Sequence, residues 1–151
     1  MKKVELTSTF IINAFGKKVF QIRALISFGN VKEGDLGGWV EKEENLSQNG
    51  NAWVYGNARV YGNAEVSGNA EVLHNCDWAS ITGFGSVYRT TTFFRCKDKM
   101  IRVSCGCFFG TIDEFKAKVQ ETHGDSKYAD EYLLIAAVMN LHFKEENENG
   151  H

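Results

Sequence analysis

The sequence contains no proline, no apolar run long enough to cross a membrane, and almost no net charge. Because proline is absent and glycine occurs 15 times among 151 residues, we expect glycine and asparagine to make the turns. No segment is apolar over the length that a transmembrane helix needs, and Met1-Lys2-Lys3 is not followed by the apolar core of a signal peptide. A net charge of −2 argues against a general electrostatic grip on nucleic acid. We therefore expect a globular cytoplasmic protein without a membrane or nucleic-acid partner.

Paired cysteines at metal-binding spacing are also lacking. The four cysteines are Cys76, Cys96, Cys105 and Cys107, and they form no CxxC pair. Zinc sites of the structural kind use such pairs, so the spacing matches them poorly. Without a secretion signal, free thiols are favoured over disulfides. A reactive thiol at Cys107, ahead of a helix and partnered by His123 or His142, is a weaker alternative. The sequence predicts no metal site and no cofactor.

What the sequence does contain is a six-residue unit written four times between residues 50 and 72. The units read GNAWVY, GNARVY, GNAEVS and GNAEV, with Gly, Asn, Ala and Val each recurring every six residues. Ala and Val lie two positions apart, so both side chains point to the same face of a short strand. Gly and Asn tolerate left-handed backbone, which allows the chain to turn once in each unit. The period predicts a coil with Ala and Val inside.

This pattern resembles the hexapeptide-repeat family of left-handed β-helices. That family places a small residue four positions after an aliphatic one, as here for Val54 with Ala58, Val60 with Ala64, and Val66 with Ala70. The chain departs from well-known members by placing Gly two residues after the aliphatic rather than one. The resemblance implies a mainly β fold built on a short left-handed parallel β-helix. Many members are acyltransferases and others are scaffolds or trimerisation modules, so the fold does not decide the function.

We expect three parts in the chain. Residues 1–29 are predicted to form a β-hairpin cap with its turn at 13–16, and residues 30–80 the β-helix. Residues 81–151 are predicted to form an α+β module with strands at 86–95 and 100–105 and two helices. Thr111 and Glu114 have the spacing of a capping box at the start of the first helix, which His123-Gly124 should end. The second helix should run to about residue 143, and residues 144–151 should form a solvated tail.

A second resemblance covers nearly the whole chain. The order IRAL, GDLGGWVE, ENLS, the hexads and GCFFGTIDEF is similar to that of small proteins carried by bacteriophages and prophages. It implies an accessory protein of the host-cell cytoplasm and supplies no catalytic residue. Hexapeptide acyltransferases use a histidine base, and His74 is the one histidine in the repeat region. Since a histidine at this corner can simply end the repeat, we assign no catalytic residue and expect a protein that is not an enzyme.

Two groups of residues are candidates for binding. Arg offers bidentate contacts to anions and Tyr a stacking face, which suits phosphate or a nucleotide base. The candidate ligand-binding residues on the strands after the repeats are Tyr88, Arg89, Thr91, Arg95 and Arg102. Outward side chains of the coil form a candidate partner surface, although they could equally pack under the protein's own caps. These candidate interface residues are Trp53, Tyr55, Arg59 and Tyr61.

Together these features predict a phage-encoded binding protein without enzymatic activity. We expect a homo-oligomer, a trimer or a dimer, that sequesters a host protein or a small anionic or nucleotide ligand, with a possible anti-defence role in host–virus interaction. The alternatives are an acyltransferase-like enzyme using His74 and a structural component of phage assembly.

Overall fold

The computed structural model describes residues 2–144, and the predicted tail beyond them, residues 145–151, lies outside the described residues. Within residues 2–144 the chain forms ten strands and two helices. The strands are β1 Val4–Ile12, β2 Lys18–Ala24, β3 Leu36–Val40, β4 Trp53–Val54, β5 Arg59–Val60, β6 Glu71–Val72, β7 Trp78–Phe84, β8 Arg89–Arg95, β9 Ile101–Cys105 and β10 Phe108–Thr111. The helices are α1 Ile112–His123 and α2 Lys127–His142. Neither helix is long and apolar enough to pass through a bilayer.

The predicted N-terminal hairpin is confirmed. Strands β1 and β2 pair antiparallel, and the Asn13 side chain accepts hydrogen bonds from the backbone N–H groups of Phe15 and Lys17 in the turn. Strand β3 joins β2 antiparallel, which ties the hairpin to the start of the repeats. Lys3 is buried and donates from Nζ to the carbonyl oxygens of Gly50 and Ala52 at 3.3 and 3.0 Å. The hairpin therefore covers one end of the repeat segment.

The repeat segment, residues 36–72, winds back on itself and buries the expected face. The alanines and valines of the repeat are all 0–2% exposed, as the six-residue period predicts; they are Ala52, Val54, Ala58, Val60, Ala64, Val66, Ala70 and Val72. Trp53 pairs in parallel with Glu71, three six-residue units later. Trp39 pairs in parallel with Arg59, and Leu46 forms a parallel bridge with Val66. The partners in both pairs are 20 residues apart, two more than three six-residue units, because the stretch at 41–49 is irregular.

The expected fold class, a short left-handed parallel β-helix as the organising structure, is wrong. The described chain is mainly β but divides into separate sheets, two with four strands and one with two. Most strand pairs are antiparallel, and parallel pairing is confined to two ladders of two residue pairs each and one bridge. The reason is that three units make one turn, so the four regular units supply little more than one turn of coil in total, and antiparallel strands flank it on both sides. The predicted division into three domains stays a prediction.

Two matching 3₁₀ turns, at Glu43–Asn45 and Asn75–Asp77, interrupt this part of the chain. In the first, the buried Asn45 accepts at Oδ1 from the backbone N–H groups of Glu41 and Lys42, at 3.1 and 2.9 Å. In the second, Asp77 accepts at Oδ2 from those of Leu73 and His74, both at 3.0 Å. One buried side chain thus ties each turn to the residues before it. Neither turn follows from the six-residue period.

The second four-stranded sheet, in the order β10-β9-β8-β7, forms the middle layer of the C-terminal half. The predicted hairpin of β8 and β9 is confirmed, whereas β7 and β10, which flank it, were not predicted. Because side chains alternate along a strand, adjacent residues of β8 serve different cores. Phe94 packs among the repeat side chains, and Phe93 packs with Val103 among the helix side chains.

Helices α1 and α2 cover the outer face of this sheet. The predicted capping box is confirmed: Thr111 Oγ1 accepts from the Glu114 N–H, and Glu114 Oε1 accepts from the Thr111 N–H at 2.8 Å. These hydrogen bonds hold the pKa of Glu114 below its usual value. As expected, α1 ends at His123 with Gly124 at its C-cap. Helix α2 contributes Tyr132, Ile135 and Met139 to the core beneath it.

Candidate ligand-binding cleft

A cleft of about 260 Å³ opens between the sheet and the helices. Its apolar wall consists of Phe108 from β10 with Phe115 and Val119 from α1. The two phenylalanine rings lie 5.6 Å apart, and Phe115 also meets the ring of Tyr132 edge-on at 5.4 Å. These side chains face inward because the helical spacing of Phe115 and Val119 places them on the same face of α1. The contacts among these rings make this side of the cleft a continuous aromatic surface.

Two cationic side chains line the cleft beside this wall. Arg89, at the start of β8, and Lys118, on α1, both line the cleft, and no aspartate or glutamate of residues 2–144 is among the lining side chains. Arg89 is held against the β9–β10 turn, where its guanidinium occupies the space that a Cβ on Gly106 would need. Glycine is required there also because its φ is +60°. The cleft therefore combines an apolar interior with two cationic groups, of which Lys118 also pairs with Glu121 on the same helix, at 3.5 Å.

Hydrogen-bonded polar groups next to the aromatic wall come from three elements. Thr91 Oγ1, buried on β8, donates to Cys105 Sγ on β9 at 3.1 Å, and Tyr132 Oη lies 4.0 Å from the same sulfur. Tyr132 Oη also donates to the Phe84 carbonyl oxygen at 3.2 Å. Burial, with the neighbouring Cys105, raises the pKa of Tyr132 to about 12. The Tyr132 hydroxyl therefore stays protonated at neutral pH and acts as a hydrogen-bond donor.

His123 completes the rim at the end of α1. Its ring stacks on that of Tyr132, with the centroids 5.9 Å apart and the planes at 29°, and it lies 5.8 Å from the ring of Tyr128. A flat side chain beside an aromatic wall offers a stacking surface to a planar group. Together these residues can bind a ligand that has an apolar or aromatic body and an anionic group. The contacts of Thr91 Oγ1 and Tyr132 Oη with the Cys105 sulfur fix its position beside the cleft.

The predicted ligand-binding residues are only partly brought together. Arg89 lines the cleft, and Thr91 contacts it indirectly, through its hydrogen bond to the lining residue Cys105. Tyr88 is exposed on the β7–β8 turn next to the cleft, with a φ of +55°. Arg95, at the other end of β8, donates from Nε to Asp77 Oδ1 at 3.1 Å and from Nη2 to the Phe143 carbonyl oxygen at 3.3 Å. Arg95 thus links the second 3₁₀ turn to the end of α2.

Arg102 lies on the opposite face of the sheet from the cleft. Its guanidinium binds the Asp98 carboxylate through two hydrogen bonds of 2.9 Å. These bonds lower the pKa of Asp98 and raise that of Arg102. Burial raises the pKa of the Cys96 thiol, which lies beside Arg102. Arg102 therefore does not join Arg89 at one site.

The predicted interface residues contact the protein's own N-terminal segment to different degrees. Trp53 is 3% exposed, with its ring edge-on to Phe28 at 5.5 Å and against Gly37. Tyr61 is half-buried between Trp78 and Phe15, with centroid distances of 5.2 and 6.4 Å. Tyr55 and Arg59 are half-buried, and burial raises the pKa of Tyr55, with a smaller contribution from Glu71.

Cleft residues that the sequence reasoning missed are Lys118, Tyr132, Phe108 and Phe115. In the sequence, Tyr132 is one of the aromatic residues of the second predicted helix, and Cys105 stands out only as one of the four cysteines. The alternation along β8 was the available signal, because it places Arg89 and Thr91 on one face.

All four cysteines are free thiols, with Cys96 buried and Cys107 exposed. Among residues 2–144, no three His, Cys, Asp or Glu side chains are grouped as a metal site would require.

Comparisons with known proteins give one short similarity. No protein-family model matches the chain. The chain is 46% identical over 35 residues to a protein described as an uncharacterized acetyltransferase, YdcK, of Escherichia coli (strain K12). The matched segment is 23% of this chain and 11% of the length of that relative. The similarity supports the resemblance to hexapeptide-repeat proteins over a short segment.

Proposed function

We propose that the protein is a non-enzymatic binding protein whose cleft takes a small anionic ligand with an apolar or planar body. The observation that carries the proposal is the combination of an aromatic wall with Arg89 and Lys118 and without an acidic lining residue in the described part of the chain. Ligand pockets usually measure about 300–1,000 Å³, so a cleft of about 260 Å³ suits a group the size of a single base rather than a dinucleotide.

The biological setting is part of the proposal. The resemblance to phage and prophage proteins favours an accessory protein that sequesters a host molecule as a homo-oligomer, with an anti-defence role. A nucleotide signal has the required chemistry, since it joins a planar base to phosphate.

The first test is native mass spectrometry of the purified protein, followed by denaturation of the same sample. A retained mass of a few hundred daltons would support the proposal and give the ligand class. Nucleoside monophosphates and the corresponding nucleosides are then compared by thermal shift and calorimetry. We expect the monophosphates to bind more tightly, because only they carry charge for Arg89 and Lys118.

Two variants on α1 make this test specific. Lys118→Met should weaken binding of a monophosphate by about tenfold, in line with the loss of one charge-assisted hydrogen bond. Lys116→Met changes the same residue type on the same helix outside the cleft and should leave binding unchanged. Equal effects of the two variants, or equal affinity for nucleosides and monophosphates, would contradict the proposal.

An acetyltransferase is a second candidate, favoured by the description of the YdcK relative. His74 is exposed beside the second 3₁₀ turn and does not line the cleft. Binding of acetyl-CoA, together with turnover that disappears in His74→Ala, would establish this alternative.

A further inference from the structure

Helix α2 carries an exposed apolar face on the side away from the core. Leu134, Val138 and Leu141 are 69%, 60% and 73% exposed, and Ala137 beside them is exposed as well. Surface helices ordinarily place polar residues on this side. The three large residues are four and then three positions apart, which is the spacing of the contact seam between two packed helices.

The charges at the two ends of this face have opposite signs. Asp130 and Glu131 precede the apolar residues, and His142 and Lys144 follow them. A second α2 running antiparallel, with a two-fold axis midway between Leu134 and Leu141, sets Leu134 of one copy against Leu141 of the other. The same operation sets Glu131 against Lys144, twice in the pair. The surface thus sets apolar residues against apolar residues and opposite charges against each other, as an isologous interface requires.

We propose that two copies of the chain associate through antiparallel packing of α2, with Leu134, Val138 and Leu141 at the centre of the contact. This inference names the surface for the homo-oligomer within the proposed function, but it does not depend on ligand binding in the cleft. Antiparallel packing also brings the positive end of each helix dipole next to the negative end of the other. Ala137 is small enough to let the two backbones approach closely.

The size of the contact sets the expected affinity. The 16 residues of α2 span about 24 Å, and one helix pair of this length falls at the small end of specific interfaces. We expect reversible dimerisation with a dissociation constant of about 10–100 μM, as for a weak interface. Sedimentation velocity of the full chain from 1 to 500 μM measures it directly.

Val138→Lys tests the location, because it brings two ammonium groups together near the axis. We expect this variant to remain monomeric across the concentration range. Val87→Lys is the matched control, since Val87 is 59% exposed on the β7–β8 turn, nearly the same as Val138. It should dimerise like the wild type. Circular dichroism and melting temperature establish whether both variants are folded. If Val138→Lys does not fold, Leu141→Lys is used in its place to disrupt the contact.

A charge exchange tests the antiparallel arrangement. Glu131→Lys should weaken the dimer by about fivefold, since two exposed ion pairs are lost and each contributes little. Adding Lys144→Glu to the same chain should restore the wild-type affinity. A parallel pair would place Glu131 near its own copy and would show no such rescue.

Three results would overturn the inference: a wild-type chain that stays monomeric at 500 μM, a dimer that survives Val138→Lys, or equal effects of Val138→Lys and Val87→Lys on dimerisation. In the first case the apolar face would belong to a different protein. Binding of a nucleoside monophosphate to Val138→Lys separates the two proposals. A monomer that keeps the ligand leaves the cleft proposal standing, and a wild-type dimer without ligand binding leaves only the interface.

Discussion

The two 3₁₀ turns allow a pair of reciprocal substitutions that differ from the wild type by one nitrogen or oxygen atom. Asn45 and Asp77 accept the same two backbone hydrogen bonds in their turns, but their second polar atoms face different partners. Asn45 Nδ2 donates to the carbonyl oxygens of Gly62 and Ala64, at 3.1 and 2.9 Å. Asp77 Oδ1 accepts from Arg95 Nε. The first environment requires a donor and the second an acceptor.

Asn45→Asp should lower the free energy of unfolding at pH 7 by about 3 kcal/mol. It removes two donors from a fully buried site, and each carbonyl oxygen left without its donor costs about 1–3 kcal/mol. The new carboxylate would also lie against two carbonyl oxygens. Because burial beside them raises its folded-state pKa above the unfolded value, the loss should shrink as the pH falls through that folded-state pKa.

Asp77→Asn should cost a similar amount, about 3 kcal/mol, because it breaks an ion pair in which both side chains are largely buried. The new amide nitrogen would face the N–H group of Arg95, placing one donor against another. Because the new amide does not titrate, this variant cannot recover stability by taking up a proton at the substituted side chain, in contrast to Asn45→Asp.

Urea unfolding followed by tryptophan fluorescence at pH 7 and pH 5 measures both free energies. Asn63→Asp is the control, because Asn63 is exposed on the same segment and accepts from Lys42 Nζ at its side-chain oxygen. It should change stability by less than about 0.5 kcal/mol, as surface substitutions usually do. A loss below about 1 kcal/mol for Asn45→Asp, or one equal to the Asn63→Asp effect, would refute the reasoning.

Three further predictions concern other buried groups. Desolvation lowers the pKa of Lys3 to about 8 from an ordinary value of 10.5. The unfolded chain therefore binds more protons between these values, so wild-type stability should rise relative to Lys3→Met by about 3 kcal/mol from pH 8 to 10.5, measured by urea unfolding at each pH. For Tyr132, whose folded pKa is raised, the sign is opposite: the stability that its neutral hydroxyl contributes should be lost as the pH rises from about 10 to 12, and Tyr132→Phe should remove this dependence in the same titration. Gly37→Ala should lower the free energy of unfolding by about 3 kcal/mol or more, because the new Cβ would lie 2.5 Å from Trp53 Cζ2 and 2.7 Å from the Val54 carbonyl oxygen in a tightly packed core. Differential scanning calorimetry measures this loss as a lower melting temperature. A loss of less than about 1 kcal/mol would contradict the prediction.

Local periodicity predicted the parts of the fold that depend on neighbouring residues. The six-residue period placed Ala and Val inside, and Thr111 with Glu114 marked the start of α1, because both patterns report contacts within a few residues along the chain. The period did not reveal how many layers the coil builds or which strands cover its ends. Those features depend on pairings such as Ala70 with Cys96, which are distant in sequence.

The cleft was harder to predict for the same reason. Arg89, Cys105 and Tyr132 come from β8, β9 and α2, and only the packing of the helices on the sheet brings them together. Each had an ordinary local explanation, as a surface arginine, a structural thiol and a core tyrosine. The alternation of side chains along β8 linked Arg89 to Thr91 but could not identify the facing thiol.

The position of β8 has a consequence for how the molecule unfolds. Neighbouring residues on this strand, Phe93 and Phe94, are both 0% exposed and belong to separate hydrophobic clusters. A displacement of the strand therefore opens both clusters together, which couples the repeat segment to the helices energetically. We expect one cooperative transition, with the slowest amide exchange shared by β8 and the strands on either side. Loss of either half should then leave the other half with the exposed surface of a partly unfolded chain.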